Sequence, residues 1–529
     1  MLLAVPFYQQ SSSRMKIIVA AALMLAGVGL PCQAGDLDTM GVTRLRGNDA
    51  TLTGTGIPVA QAEAQGSAND WEVYPPNAGQ VAGIFAWINT NGSSTNFPNS
   101  LGTESFHADE VGNCFYGGTA GVAPGILHVD NYEADYFYNI VVAGGLAMTD
   151  KVVNQSFIFT GTPPQTTVDS TYDTYMANNG ILFCSAVGNS GPPSPPGTAY
   201  NGLGVGCYGA AANSSAGPTQ DNGRSKPDLV APENETSFST PYVAGAAAVL
   251  LESAARGEGG GNSAAAGDMR TVKALLLNGA VKPGDWTHTP TAPLDSRYGA
   301  GVLNLFYSWQ QLTNGQQPFS VSQNVPAGRA HPPGTPSAVI FSLAGWDFQT
   351  VTSGLLQDAV NHYYFDSSAD PVAALTLTAS LVWNRPAGRT GINNLGLFLY
   401  NTADGSVVTN SVSTVDNVQH VYIPNLPRGH YDLQVVKYGG LSELTASETY
   451  ALAFQFYPVS PPLLSLSLSG GNAVVSWPWT PTIFNLQQTA SLTPPISWSP
   501  VTAIGLITNT TVSVTLPSPT PAAFYRLSR

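Results

Sequence analysis

The sequence predicts an α/β protein: a doubly wound, mostly parallel sheet, followed by two antiparallel β-sandwich-type domains. Three observations carry this. Residues 41–310 alternate short β-type apolar runs with small-residue helical stretches, the pattern of a parallel sheet covered on both faces. From Pro318 onward helical periodicity nearly vanishes, and strand patterns bounded by turns replace it. The 529 residues leave room for roughly three to four domains at about 150 residues each.

The elements follow in order. Apolar β-type runs occupy 57–62, 126–129, 151–159 and 181–187. His128, inside the second run, reads as a satisfied core histidine. Helical stretches are expected at 240–256 and 268–279, with a Gly-rich loop over 257–266 between them. In the C-terminal half, Asp404-Gly405 is a turn dipeptide between Leu397–Tyr400 and Val407–Thr409, a hairpin signal. The resulting spans are a secretory signal at 1–34, an α/β domain at 35–317, a β-sandwich or jelly-roll domain at 318–458 and a small C-terminal β domain at 459–529.

Composition narrows the function class. Hydrophobic residues make up 43% of the chain, which excludes a disordered polymer. Charged residues are only 10%, against about 25% in ordinary globular proteins. With 19 Lys and Arg against 33 Asp and Glu, the net charge is −14. Nucleic-acid binding needs basic surface to displace counterions, so no nucleic-acid partner is expected.

Arg14 and Lys16 precede the apolar run Ile17–Leu30, and Cys32-Gln33-Ala34 sets small residues before Gly35. This is the order of a secretory signal, with Met15 as an alternative start. The run is too short for a membrane span. The expectation is a secreted, extracellular protein without a membrane span. Removal of the signal leaves Cys114, Cys184 and Cys207, so at most one disulfide forms and at least one thiol stays free. Cys184, in an apolar run, is expected to be buried and inert. No Cys–His cluster has zinc-site spacing.

The chemistry concentrates in Gly223–Leu251. Ser237 lies between Ala231-Pro232 and a small-residue helix, which sets its hydroxyl at a helix N-terminus, where unpaired N–H groups favour a developing anion. Pro241 near the start of this helix fits the first-turn preference of proline. The run from Glu235 to Gly245 reads ETSFSTPYVAG. It resembles the nucleophile motif of the subtilisin-like serine peptidases (subtilases), Gly-Thr-Ser-x-Ser/Ala-x-Pro-x-Val-Ala-Gly, and departs from it only at Glu235. Lys226–Pro232 resembles the same family.

That resemblance implies the remaining residues. SFHADEVGNCFYGG at 105–118, with GVAPG at 121–125, aligns His107 with the family's catalytic histidine. Asn189 in Gly188-Asn189-Ser190-Gly191 aligns with the oxyanion amide, and Val152–Phe157 resembles the strand whose backbone pairs with an extended peptide. Gln155, Ser156 and Gly188 are the implied substrate-binding positions. Glu63 stands where the family has Asp, with Asp70 as runner-up for the acid. The acid holds the imidazole tautomer and stabilises the imidazolium, which a Glu can also do. The implied activity is that of a secreted serine endopeptidase acting on protein or peptide substrates through a Ser-His-Glu triad. A second reading is an inactive scaffold serving as an extracellular binding or adhesion protein. The resemblance allows calcium without any assignable ligand set, and no metal site is read from the residues. The C-terminal β domains are candidates for binding an extracellular polymer.

Overall fold

The computed structural model describes residues 34–66, 69–333, 339, 340, 342–368, 374–440, 443–459, 463–478, 484–493, 496–503, 505–508, 511–517 and 523–528. The expected export signal falls on residues 1–33, outside the described residues, apart from its last position.

Eight strands form the central sheet: β1 (Val59–Glu63), β2 (Phe85–Asn89), β3 (Gly92–Ser94), β4 (Val129–Glu133), β5 (Val152–Gln155), β6 (Leu182–Ala186), β7 (Leu203–Tyr208) and β8 (Leu229–Pro232). Their spatial order is β8-β7-β6-β5-β1-β4-β2-β3. All neighbours are parallel except the short β2–β3 hairpin. Burial on both faces accounts for the unbroken apolar runs, as in β6, where all five residues are buried.

Two strand expectations shift. The run at 126–129 is not a strand, because Ile126 N–H donates to Ala123 in a turn and Gly125 N–H donates to Thr53. The strand begins only at Val129. His128 therefore precedes β4, and its side chain is 49% exposed and paired with Asp130; it is not the core histidine expected. The run at 151–159 forms strand only to Gln155. Phe157 and Phe159 beyond it are still buried, as loop residues, with Phe159 N–H bonded to Pro195.

Five helices matter for the site: α1 (Phe106–Tyr116), α2 (Gln165–Asn179), α3 (Thr236–Ala255), α4 (Met269–Gly279) and α5 (Leu305–Thr313). Helix α3 is buried along nearly its whole length, and alanines at 244 and 246–248 keep it slim enough to pass through the core. Gly245 is required by close approach, since a Cβ there would lie 2.7 Å from the Val122 side chain. Helix α1 packs directly on α3.

The second layer system consists of two antiparallel sheets. One runs Val321–Pro326, Gln357–Asp366, His430–Lys437, Leu395–Asn401 and Val407–Ser411; the other runs Ala344–Thr352, Ser447–Pro458, Ala374–Trp383 and Val418–Pro427. The expected hairpin about Asp404-Gly405 forms between Leu395–Asn401 and Val407–Ser411. Leu397 and Leu433 of one sheet meet Leu377, Leu381 and Leu452 of the other in a shared core. Strand alternation turns Thr378, Ser380 and Val382 the other way. Val382, Val418, Ala451 and Ala453 join the core of the α/β unit, and helices α4 and α5 face that sheet. Beyond residue 463 a four-stranded and a three-stranded antiparallel sheet enclose a small core with Trp477, Val512 and Val514. Cys184 and Cys207 are buried free thiols. Among the described residues no helix is long and apolar enough to cross a membrane.

Candidate active site

Glu63, the expected acid, comes from the middle of the sheet. Glu63 is the last residue of β1, flanked by β4 and β5, and is 1% exposed. An ionised carboxylate so deeply buried needs partners for both oxygens. Its Oε2 lies 3.0 Å from His107 Nδ1, and its Oε1 accepts from Gln61 Nε2 at 2.8 Å. Gln61 lies two residues earlier on the same side of the strand. Its amide also donates to the Ala108 carbonyl at 2.9 Å, and its Oε1 accepts from Tyr116 Oη at 2.5 Å. Gln61 thus ties β1 to the helix that carries the histidine.

His107 is the second residue of α1, after the N-cap Ser105, whose hydroxyl accepts from Ala108 N–H. A carboxylate at Nδ1 selects the tautomer with its proton there and leaves Nε2 as the acceptor. Burial opposes protonation of the ring. The hydrogen bond and charge of Glu63, together with the charge of Glu235, outweigh that, and the His107 pKa is raised above the ordinary imidazole value. The other nearby carboxylates are engaged elsewhere. Asp109 accepts from Tyr74 N–H at 2.6 Å and Asn77 Nδ2 at 3.2 Å. The Asp70 carboxylate lies against the Gly66 backbone.

Ser237 is the second residue of α3, after the N-cap Glu235. Pro241 is the sixth, past the first turn in which it was expected. Its missing N–H is the one that would bond to the carbonyl four residues back, that of Ser237. Ser156 Oγ supplies the replacement, donating to Ser237 O at 2.7 Å. In return Ser237 Oγ donates to Ser156 O at 3.4 Å. The His107 ring lies 5.7 Å, centroid to centroid, from that of Phe238, the residue after Ser237.

Asn189 is fastened at its carbonyl end. Oδ1 accepts from Thr236 N–H at 2.9 Å and Thr236 Oγ1 at 2.7 Å. This directs Nδ2 away, and it donates to Glu235 Oε2 at 3.4 Å. Among the implied substrate-binding positions, the Gln155 side chain is buried, bonded to Tyr172 Oη at 2.7 Å and Ser185 Oγ at 3.0 Å. Gly188 adopts φ of 102°, and a Cβ there would lie 2.9 Å from Ser215 Oγ. One residue of the site was not singled out by sequence reasoning. Gln61 shares the face of Glu63 at strand spacing, a signal that was available. The contact between Glu235 and Asn189 joins segments 46 residues apart and leaves no local signal.

Residues 80–301 match the model of the Subtilase family. The matched segment contains His107, Asn189 and Ser237 and begins after Glu63. No curated protein matches the chain. Among solved structures, the chain is similar to a serine protease of Aeromonas sobria at 14% identity, over 90% of this chain and 89% of that one, with a TM-score of 0.34. It is similar to tripeptidyl peptidase 2 at 13% identity, over 73% of this chain and 43% of that one, with a TM-score of 0.32.

Proposed function

From the premise that residues 80–301 are a subtilase domain, we propose that this protein is a secreted serine endopeptidase with a Ser237–His107–Glu63 triad. The observation that carries the reading is the 3.0 Å bond from His107 Nδ1 to the buried Glu63 carboxylate, on a helix packed against the one that carries Ser237 as its second residue. Ser237 Oγ attacks the substrate carbonyl carbon, and His107 Nε2 accepts its proton as the C–O bond forms. Glu63 stabilises the resulting imidazolium. The oxyanion is received by Asn189 Nδ2 and the Ser237 N–H at the helix N-terminus. His107 then protonates the leaving amine, the C–N bond breaks, and water repeats the sequence on the acyl-enzyme.

Two adjustments precede chemistry. The Ser237 hydroxyl turns from the Ser156 carbonyl toward His107, consistent with catalytic hydrogen bonds that tighten only with substrate present. Glu235 also withdraws from the Asn189 amide. Segment 155–156 would pair with an extended peptide through its backbone, since the Gln155 side chain is committed to the core. The C-terminal β domains are proposed to bind an extracellular polymer.

Glu235 favours a second reading, an inactive scaffold, because a carboxylate against the oxyanion donor opposes the negative charge that must develop there. Labelling of the full chain with a fluorophosphonate probe separates the two. The endopeptidase reading expects labelling that is abolished in S237A, together with hydrolysis of a denatured protein. No labelling of folded wild type, with labelling restored in E235G, would establish the inactive reading.

A further inference from the structure

Three metal-ligating side chains converge outside the catalytic site. His128 lies just before β4, Asp130 is the second residue of β4, and Asp150 lies two residues before β5. One ligand atom from each falls within 4.8 Å of the others. His128 Nε2 is 3.1 Å from Asp130 Oδ1. Asp130 Oδ2 accepts from Tyr132 Oη at 3.3 Å. Asp150 differs from an ordinary surface acid. It is 0% exposed, and among the described residues neither carboxylate oxygen has a hydrogen-bond partner. A buried, unpartnered carboxylate is costly, and buried charges are normally paired or bound to a metal. Lys151, the adjacent cation, is exposed and forms no ion pair with Asp150 among the described residues.

We propose that His128, Asp130 and Asp150 bind a divalent transition-metal ion of the zinc or manganese class that braces β4 against β5. Two carboxylates and an imidazole match the ligand preferences of such ions, whereas calcium and magnesium favour sites built of oxygen alone. The half-exposed imidazole provides the entry path, and the buried carboxylate provides charge in a low-dielectric setting. The strands joined are not neighbours, because β1 lies between them. The three strands are parallel, with Val59 level with Val129 and Val152. The cluster therefore lies at their N-terminal ends, and Glu63 lies at the opposite end of β1. Four strand steps separate the two ends, roughly 13 Å at ~3.3 Å per residue. An ion there would act by holding the sheet together and would not touch the substrate.

The competing arrangement is a proton shared between Asp130 and Asp150, without metal. To separate them, the full chain is stripped with a chelator, incubated with Zn²⁺ or Mn²⁺, desalted and analysed by plasma mass spectrometry and thermal unfolding. The expected result is roughly one ion retained per chain, with a rise in Tm that grows with free metal. Both effects should be lost in H128A and in D150N. H128A alters a partly exposed side chain outside regular structure, so it reports on binding even if D150N fails to fold. Fluorophosphonate labelling of Ser237 should persist in H128A. No retained ion and no Tm rise in wild type would overturn the proposal in favour of the shared proton. An equal Tm rise in H128A, or a rise with Ca²⁺ but with neither Zn²⁺ nor Mn²⁺, would also overturn it.

Discussion

In the proposed triad, Glu63 divides its two oxygens between two partners. Gln61 holds Oε1, so Oε2 is the one presented to His107. E63Q should lower kcat by ~10⁴-fold, the scale seen when the acid of a serine triad becomes an amide, with peptide hydrolysis as the readout. Because the raised His107 pKa depends on the charges of Glu63 and Glu235, His107 as the proposed base is competent only above that raised value. The acid limb of the kcat/KM profile should then lie above the ordinary imidazole value of about 6.5. Removing a negative neighbour reverses the shift, so the limb should move to lower pH in E235G. E235G should also raise kcat/KM by freeing the Asn189 amide, whereas N189A should lower kcat by ~10²–10³-fold, the usual cost of one oxyanion donor. An unchanged pH profile in E235G would remove Glu235 from the electrostatics of the histidine.

At the scale of the element, the N-terminal part of α3 is completed by a residue from another segment. Pro241 leaves the Ser237 carbonyl without its helical donor, and Ser156 Oγ fills the gap from the end of β5. S156A should therefore destabilise the protein by about 1–3 kcal/mol, the cost of a buried acceptor left unmade, measured as a shift in the denaturant midpoint. P241A restores the helical N–H, so the double variant should lose less than the sum of the two single changes. Strict additivity would mean that Ser156 and Pro241 do not share this carbonyl. The same region shows why strand ends were misplaced by periodicity. Ile126 and Val129 are buried while Leu127 and His128 between them are exposed, and Phe157 and Phe159 are buried outside any strand, so turn and loop hydrogen bonds decide where pairing starts and stops.

Across the whole molecule, the sandwich is joined to the α/β unit by buried polar contacts as well as by apolar packing. Asn278 of α4 accepts from Thr378 Oγ1 at 2.9 Å and Ser380 Oγ at 3.2 Å, and its amide donates to Gln311 Oε1 at 2.8 Å. Arg385 pairs with Asp173 of α2 at 2.6 Å, and Asp416 accepts from Ser225 N–H at 2.7 Å. N278A orphans several of these groups. It should cost about 1–3 kcal/mol and lower the Tm of a single cooperative transition spanning both layers. Two separated transitions in wild type would mean that the layers unfold independently.

The doubly wound sheet, the β-rich C-terminal half and the segment around Ser237 were legible in the sequence because each rests on local information: alternation of apolar runs, period-two patterning, and a contiguous motif at a helix start. Gln61 repeats the lesson, since its shared face with Glu63 follows from strand periodicity alone. The environment of each group was decided by tertiary structure. The 3.0 Å approach of His107 to Glu63, the contact of Asn189 with Glu235 and the convergence of His128 with Asp150 all join residues that are far apart in the chain. Sequence separation carries no distance until strands have paired and helices have packed. What surrounds a carboxylate therefore emerges only from the fold: an imidazole for Glu63, an amide for Glu235, and, among the described residues, no hydrogen-bond partner for Asp150.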